Sequence, residues 1–335
     1  MVVKKKPFTV AAVQAAPVFL DREATVEKAC GLISEAAKAG AKVIVFPEAF
    51  VPAYPDWVWV LPPADSRPLY ELYGELLDQS VAVPSAATEK LGKAAKAAGA
   101  YVVMGVNERN VEASGSSLYN TLLYFGPDGK LLGKHRKLMP TSAERLVWAA
   151  GAGDTMGVYD TPYGRLGGLI CWENYMPLAR YAMYAWGTQI YVAPTWDTGE
   201  PWLSTLRHIA KEGRTYVIGV CMSLHRDDIP DRYDFKRLYA GREWINVGDS
   251  AIVGPDGQFI AGPVSQKQEI LYAELDMPQL ERSKLMLDVA GHYARPDVFQ
   301  LTVNRDPRPM ISVSSSADEK AAAGKIVSPR DAGTA

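Results

Sequence analysis

Cysteine is scarce in this sequence: three residues in 335, at Cys30, Cys171 and Cys221. A small odd number in a long chain argues against a disulfide framework and favours a reducing, cytoplasmic setting. Histidine is nearly as rare, with four residues, His135, His208, His225 and His292, and no pair at zinc-ligand spacing. A phosphate loop is lacking as well, since "GAGDT" (151–155) has neither the lysine nor the spacing. No nucleophile-elbow pattern supports a Ser-His-Asp centre. The expected chemistry therefore uses no metal and no cofactor. Excess charge is also missing: the formal net charge is −2 with both signs spread along the chain, which argues against a nucleic-acid partner. No run reaches the roughly 18 apolar residues of a membrane span. The opening "MVVKKKPFTVAAVQAAPVFL" imitates a secretory leader, but Gln14 and Pro17 interrupt it, and it reads as a first buried strand.

What is present is material for a sizeable core, with 48% hydrophobic and 22% charged residues. Short β-rich runs alternate with helical patterns. Strands are expected at 8–14, 42–48, 101–106, 165–171, 189–194 and 216–222. Helices are expected at 21–41, about 84–98, from Pro177, and about 202–214. In the first helix Asp21 suits the N-cap, and Val26, Ala29, Ile33 and Ala36 or Ala37 recur on one face, with Cys30 beside them. Cys221 falls inside an apolar strand, where a packed thiol is expected. Two segments echo each other, "LLYFGPDGKLLGK" (122–134) and "AIVGPDGQFIAG" (251–262). In each, Gly-Pro-Asp-Gly separates apolar runs, the signature of a β-hairpin. Hairpins require antiparallel pairs and the strand–helix rhythm suggests parallel ones, so a mixed sheet with outer helices is expected, and the echo hints at two halves built alike. Residues 49–83 and 223–249 read as irregular insertions that line a site or an interface. One domain over 1–311 is expected, followed by a disordered tail at 312–335, which is poor in large apolar residues.

Chemistry concentrates at strand ends. Glu48 is expected to close one strand and Cys171 another, and Lys137 follows the outgoing arm of the first hairpin. In layered α/β folds the carboxyl ends of strands face a shared crevice. A thiol beside a carboxylate and an ammonium makes a nucleophile, a general base and a fixed cation, a complete set for covalent catalysis. The ammonium is expected to favour the thiolate and any negative charge that develops under attack. Taken singly, each residue has a plainer reading: Glu48 as a solvated loop acid, Lys137 as part of an exposed basic patch, Cys171 as core. Their complementary roles at strand ends favour the joint reading.

The stretches "VIVFPEAFVPAYP" (43–55), "HRKLMPTSAERLVW" (135–148), "GLICWENYMPLAR" (168–180), "PTW" (194–196) and "GHYARPDVFQL" (291–301) resemble a nitrilase of the carbon–nitrogen hydrolase superfamily. The likeness runs in order along nearly the whole chain except the tail. It implies a four-layer αββα sandwich, an α/β fold in which two mixed sheets pack face to face with helices outside. It implies Glu48 as base, Lys137 as cation, Cys171 as nucleophile, and Glu144 as a second glutamate that positions Lys137 and substrate. The backbone N–H of Trp172 would join the anion hole. Tyr54, Trp57, Trp172, Thr195 and Trp196 are candidates for the substrate pocket, although Tyr54, Trp57 and Trp172 can equally be packing residues. A homodimer, extended in many nitrilases to a spiral filament, is implied as well.

"CWE" after the nucleophile strand fits a nitrilase better than the amidase branches. The expected reaction takes an organic nitrile to the carboxylic acid and ammonia through a thioimidate and a thioester on Cys171. The runner-up is a cyanide hydratase-type lyase that stops at the amide, followed by an amidase or N-carbamoyl hydrolase. A catalytically silent, filament-forming scaffold would not need Glu48, Lys137 and Cys171 together.

Overall fold

The computed structural model describes residues 6–64 and 66–307. Its first half contains Phe8–Gln14 (β1), Arg22–Lys38 (α1), Ala41–Val45 (β2), Ser66–Gln79 (α2), Val81–Ala82 (β3), Ala86–Ala98 (α3), Tyr101–Arg109 (β4), Leu118–Phe125 (β5) and Leu131–Arg136 (β6). Its second half contains Val158–Thr161 (β7), Gly164–Gly168 (β8), Pro177–Ala185 (α4), Ile190–Thr195 (β9), Glu200–Gly213 (α5), Tyr216–Cys221 (β10), Ser223–His225 (β11), Trp244–Val253 (β12), Phe259–Ser265 (β13), Glu269–Leu275 (β14) and Met277–Ser283 (α6). The expected tail at 312–335 lies outside the described residues.

Two seven-stranded sheets result. The first runs β14-β1-β2-β4-β5-β6, with β3 beside β4; the second runs β11-β12-β10-β9-β8-β7, with β13 beside β12. Each has a parallel trio, β1-β2-β4 or β8-β9-β10, flanked by antiparallel pairs. Both Gly-Pro-Asp-Gly hairpins form, as β5–β6 and β12–β13.

Strand alternation sorts the apolar residues into three layers. Val10, Val43, Val103 and Leu122 of the first sheet meet Leu166, Ile190, Val192 and Ile218 of the second in a dry inter-sheet core. The opposite face of the first sheet, with Ile44, Val102 and Met104, packs on Val26, Ile33 and Leu91 of α1 and α3. The opposite face of the second, with Tyr191, Ala193 and Val217, packs on Met183, Trp202 and Leu206 of α4 and α5. Helix, sheet, sheet, helix is therefore the order of layers. Asp21 caps α1 by accepting the Ala24 amide at 2.9 Å, as its position suggested.

Three expectations need correction. The strand expected at 42–48 stops at Val45, because Phe46 makes one more bond to Val103 and Pro47 has no N–H with which to continue. The strand expected at 165–171 stops at Gly168, because the Ile170 amide turns to the Glu173 carboxylate at 2.7 Å and starts a tight turn over Cys171–Tyr175. Glu48 and Cys171 thus stand three residues beyond their strands, where side chains have room to converge. Third, 49–83 is not all irregular. It contains α2, whose Leu69, Leu72, Tyr73 and Leu76 form a helical stripe against the first core. The two insertions meet: Trp57 packs against Phe19 and Phe235, and Asp56 accepts the hydroxyl of Tyr239.

Candidate active site

Two glycines allow the site to assemble. A Cβ on Gly105 of β4 would lie 2.0 Å from the Pro47 carbonyl oxygen, so only glycine lets β4 back the Pro47–Ala49 turn that carries Glu48. A Cβ on Gly168 would lie 1.8 Å from the Val192 carbonyl oxygen, so β8 and β9 touch just before the chain turns into Cys171. Asn107 pins the first loop: its amide nitrogen donates to the carbonyls of Val51 (3.2 Å) and Ala53 (2.9 Å), and its oxygen accepts the Trp148 indole N–H at 2.9 Å. Ala49 and Cys171, which are not glycines, have positive φ of 51° and 50°. Such left-handed backbone costs about 1–3 kcal/mol and tends to accumulate at functional sites.

Glu48, Lys137 and Glu144, three of the side chains expected to converge, do so. Lys137 Nζ donates to Glu48 Oε1 at 2.7 Å and to Glu144 Oε2 at 2.8 Å, and all three groups are buried. Register explains the inward aim of Lys137. It continues β6 opposite Asn120 and lies two residues past His135, which faces the inter-sheet core opposite Leu122. Arg136, between them, points the other way to Glu108 at 2.6 Å. Asn120 Nδ2 adds a third contact by donating to Glu48 Oε1 at 2.6 Å. Glu144 Oε1 accepts the Tyr54 hydroxyl at 2.7 Å, and its Oε2 also accepts the Thr141 amide at 2.6 Å. Lys137 lies 5.8 Å from the centre of the Trp148 ring.

One carboxylate oxygen is left over. Glu48 Oε2 is buried with no hydrogen-bond partner among the described residues. Such an atom is costly unless it faces a group that uses it. After burial itself, the charges acting most strongly on the Cys171 thiol are those of Glu48 and then Lys137.

Electrostatics adds what the sequence does not show. Lys137 does favour the thiolate, but burial and the Glu48 charge outweigh it, and the thiol is pushed well above the ordinary cysteine range. The resting group is a thiol, and its proton needs an acceptor at the moment of attack. Burial also pushes the Glu48 carboxyl up, to about 7, against the opposing pull of Lys137 and Asn120. Lys137 goes further into its charged range, because Glu48, Cys171 and Glu144 overcome the cost of burial.

The pocket candidates separate. Tyr54 stacks on Trp196 with ring centres 4.2 Å apart and packs edge-on to Trp148. Thr195, fully buried at the end of β9, accepts the Asp197 amide at 2.8 Å. The Trp172 side chain is 51% exposed and donates its indole N–H to Asp197 at 2.8 Å. Its backbone N–H has no acceptor among the described residues and opens the turn beside the sulfur. Trp57 is not brought to this group, since its indole is buried among core aromatics. Asn107, Asn120 and Trp148 were missed as site residues. Only Trp148 lay in a quoted motif, and lone asparagines within strands give no signal in sequence.

Residues 9–284 match the carbon-nitrogen hydrolase family model. The chain is 46% identical to the aliphatic nitrilase of Sinorhizobium fredii over 90% of its own length and 97% of that protein's. It is 39% identical to the bifunctional nitrilase/nitrile hydratase NIT4A of Lupinus angustifolius, covering 91% of this chain and 88% of that one. Among solved structures, Saccharomyces cerevisiae Nit3, described as a member of branch 10 of the nitrilase superfamily, shares the fold with a TM-score of 0.68 at 21% identity, over 88% of this chain and 98% of that one. The chain belongs to the carbon–nitrogen hydrolase family.

Proposed function

We propose that this protein is a nitrilase, converting an organic nitrile and two waters to a carboxylic acid and ammonia. The observation that carries the reading is a buried Lys137 ammonium between Glu48 and Glu144, with the free Oε2 of Glu48 left to serve a neutral Cys171 thiol. Nitrilase relatives of nearly the same length support the substrate class.

In this reading Cys171 sulfur adds to the nitrile carbon while Glu48 Oε2 takes the thiol proton, which passes to the nitrile nitrogen. The nascent negative charge on that nitrogen is met by Lys137 and the Trp172 amide. The product is a thioimidate. Glu48 then removes a proton from water as it attacks the same carbon, the protonated amine leaves as ammonia, and a thioester remains. A second water releases the acid and restores the thiol. Glu144 holds Lys137 through Oε2 and Tyr54 through Oε1, so it fixes the cation in place. Tyr54, Trp172, Thr195 and Trp196 would line the way in, and Trp57 supports them from the core.

The name of the lupin relative favours a second outcome, release of amide when the thiolate leaves the first tetrahedral intermediate in place of ammonia. A panel of aryl and alkyl nitriles, with ammonia, acid and amide all quantified, tests both. The expected result is acid with equimolar ammonia as the main product and no turnover by Cys171→Ala. Undiminished turnover by that variant would refute the assignment.

The remaining proposals concern setting. A single catalytic domain over 1–311 accords with the family match to 9–284. A homodimer, extended toward a spiral, is supported by exposed Leu178, Tyr293, Val298 and Phe299 around a groove between α4, α5 and residues 289–301. A cytoplasmic location accords with three unpaired cysteines.

A further inference from the structure

The nucleophile and its partners belong to different sheets. Glu48, Lys137 and Asn120 lie on or just beyond strands of the first sheet, and Cys171 and Thr195 belong to the second. Apolar contacts between the sheets are non-directional and set no register at the tenth-of-an-ångström level by themselves. Something polar must lock the Cys171 turn to the arm that carries Lys137.

We propose that Glu173, held by His135, is the positioning residue that makes this lock. Its carboxylate spans the gap. Oε2 accepts the amide of Ile170, the residue before Cys171, at 2.7 Å. Oε1 accepts the amide of Leu138, the residue after Lys137, at 2.8 Å. His135 Nε2, on β6, reaches both oxygens at 3.1 and 3.0 Å. One side chain therefore ties the chain neighbours of the nucleophile and of the cation to a single rigid group.

Chemistry separates this role from acid–base work. An ionised carboxylate has about four acceptor positions. Here the two amides and the shared imidazole N–H occupy both oxygens, and the side chain is fully buried, so no oxygen remains for water or substrate. Burial alone would raise the Glu173 carboxyl, but His135 and the two amides outweigh it and hold the group ionised. His135 Nδ1 is buried without a partner among the described residues, so the ring is held through its Nε2 contact to Glu173. Within the turn, Asn174 Nδ2 donates to the carbonyls of Leu169 (3.1 Å) and Cys171 (2.8 Å) and accepts the Tyr191 hydroxyl at 2.8 Å. All of these belong to the second sheet, so they shape the turn and leave its link to Lys137 to Glu173.

Glu173→Gln replaces one acceptor by an N–H₂ that must face a backbone donor. A displacement of about 1 Å in a reacting group costs about 100-fold in rate. The inference rests on the nitrilase reading, so two readouts are used. In the first, nitrile turnover, Glu173→Gln is expected to lower kcat about 100-fold with KM changed less than about threefold. The second needs no nitrile: the rate of Cys171 alkylation by chloroacetamide, mapped by mass spectrometry, reports thiol–base alignment alone and is expected to fall at least about tenfold. His135 supplies the rescue. His135→Gln keeps a donor near the Nε2 position and is expected to stay within about threefold of the parent in both assays, whereas His135→Leu falls with Glu173→Gln. Thermal melting gives the folded fraction for each variant, and rates are expressed per folded protein. If Glu173→Gln fails to fold, the comparison of His135→Gln with His135→Leu decides. Parental kcat and alkylation rate in Glu173→Gln or in His135→Leu, with only a lowered Tm, would overturn the proposal. So would a KM effect at constant kcat. If the parent turned over no nitrile yet the alkylation pattern held, the nitrilase reading would fail and the lock would stand.

Discussion

Asn120→Leu isolates the electrostatics of the base. Asn120 Nδ2 donates to Glu48 Oε1 at 2.6 Å, and its own oxygen is buried without a partner among the described residues, so an isosteric leucine removes this one polar contact and little else. The contact favours the ionised carboxylate, so its loss raises the Glu48 pKa from its position near 7. A hydrogen bond to a charged group contributes about 1.5–3 kcal/mol, and one pKa unit corresponds to about 1.4 kcal/mol, so the shift is about one to two units. Glu48 must be ionised to take the thiol proton. The acid limb of kcat/KM, which reports the free enzyme, therefore rises through about 7 in the parent. Between pH 6 and pH 8 activity grows about tenfold in the parent and about fiftyfold in Asn120→Leu for a one-unit shift. An ordinary exposed glutamate, titrating near 4.3, would give almost no change over that window. The assay is initial-rate ammonia release across pH 5–9 at substrate well below KM. A limb that stays in place, or moves to lower pH, in a folded variant would refute the reasoning.

Three further substitutions probe the scaffold and the second glutamate. Gly105→Ala places a Cβ 2.0 Å from the Pro47 carbonyl and 2.7 Å from the Ala49 amide. It should cost about 1–3 kcal/mol in denaturant unfolding and lower kcat by displacing Glu48, whereas Gly31→Ala on α1, with nothing within 4 Å, should stabilise by about 0.5–1 kcal/mol; equal effects would contradict the close-approach account. Tyr54→Phe removes the hydroxyl that Glu144 Oε1 accepts while keeping the ring stacked on Trp196. Steady-state kinetics should show kcat down about tenfold, in line with about 1.5 kcal/mol for a bond to a charged acceptor, with KM little changed. A KM effect alone would make Tyr54 a wall of the pocket and nothing more.

Local signals carried much of the fold. The hairpin turns, the Asp21 cap and the stripe Val26, Ala29, Ile33 and Ala36 each depend on neighbours within a few residues, and each took the expected form. Strand ends were less legible, because they depend on partners far away. Pro47 ends β2 through its missing N–H, and Glu173 ends β8 by capturing the Ile170 amide. The stripe of α2 was obscured by the prolines and aromatics around it. At the site, Glu48, Lys137, Cys171 and Glu144 stood in recognisable motifs. Asn107, Asn120 and the His135–Glu173 pair act through contacts 38 to 72 residues apart in sequence, which no spacing rule records. The pull of Lys137 on the Cys171 thiol was legible in sequence, but the burial and the two carboxylates that oppose it appear only in three dimensions.

The most direct test of a covalent route through Cys171 is rapid acid quenching of the enzyme during turnover of a nitrile, followed by peptide mapping. A thioimidate or thioester mass on the peptide that contains Cys171, lost in Cys171→Ala, is the predicted result. An adduct on another residue, or steady turnover with no adduct under conditions where hydrolysis is rate-limiting, would contradict it.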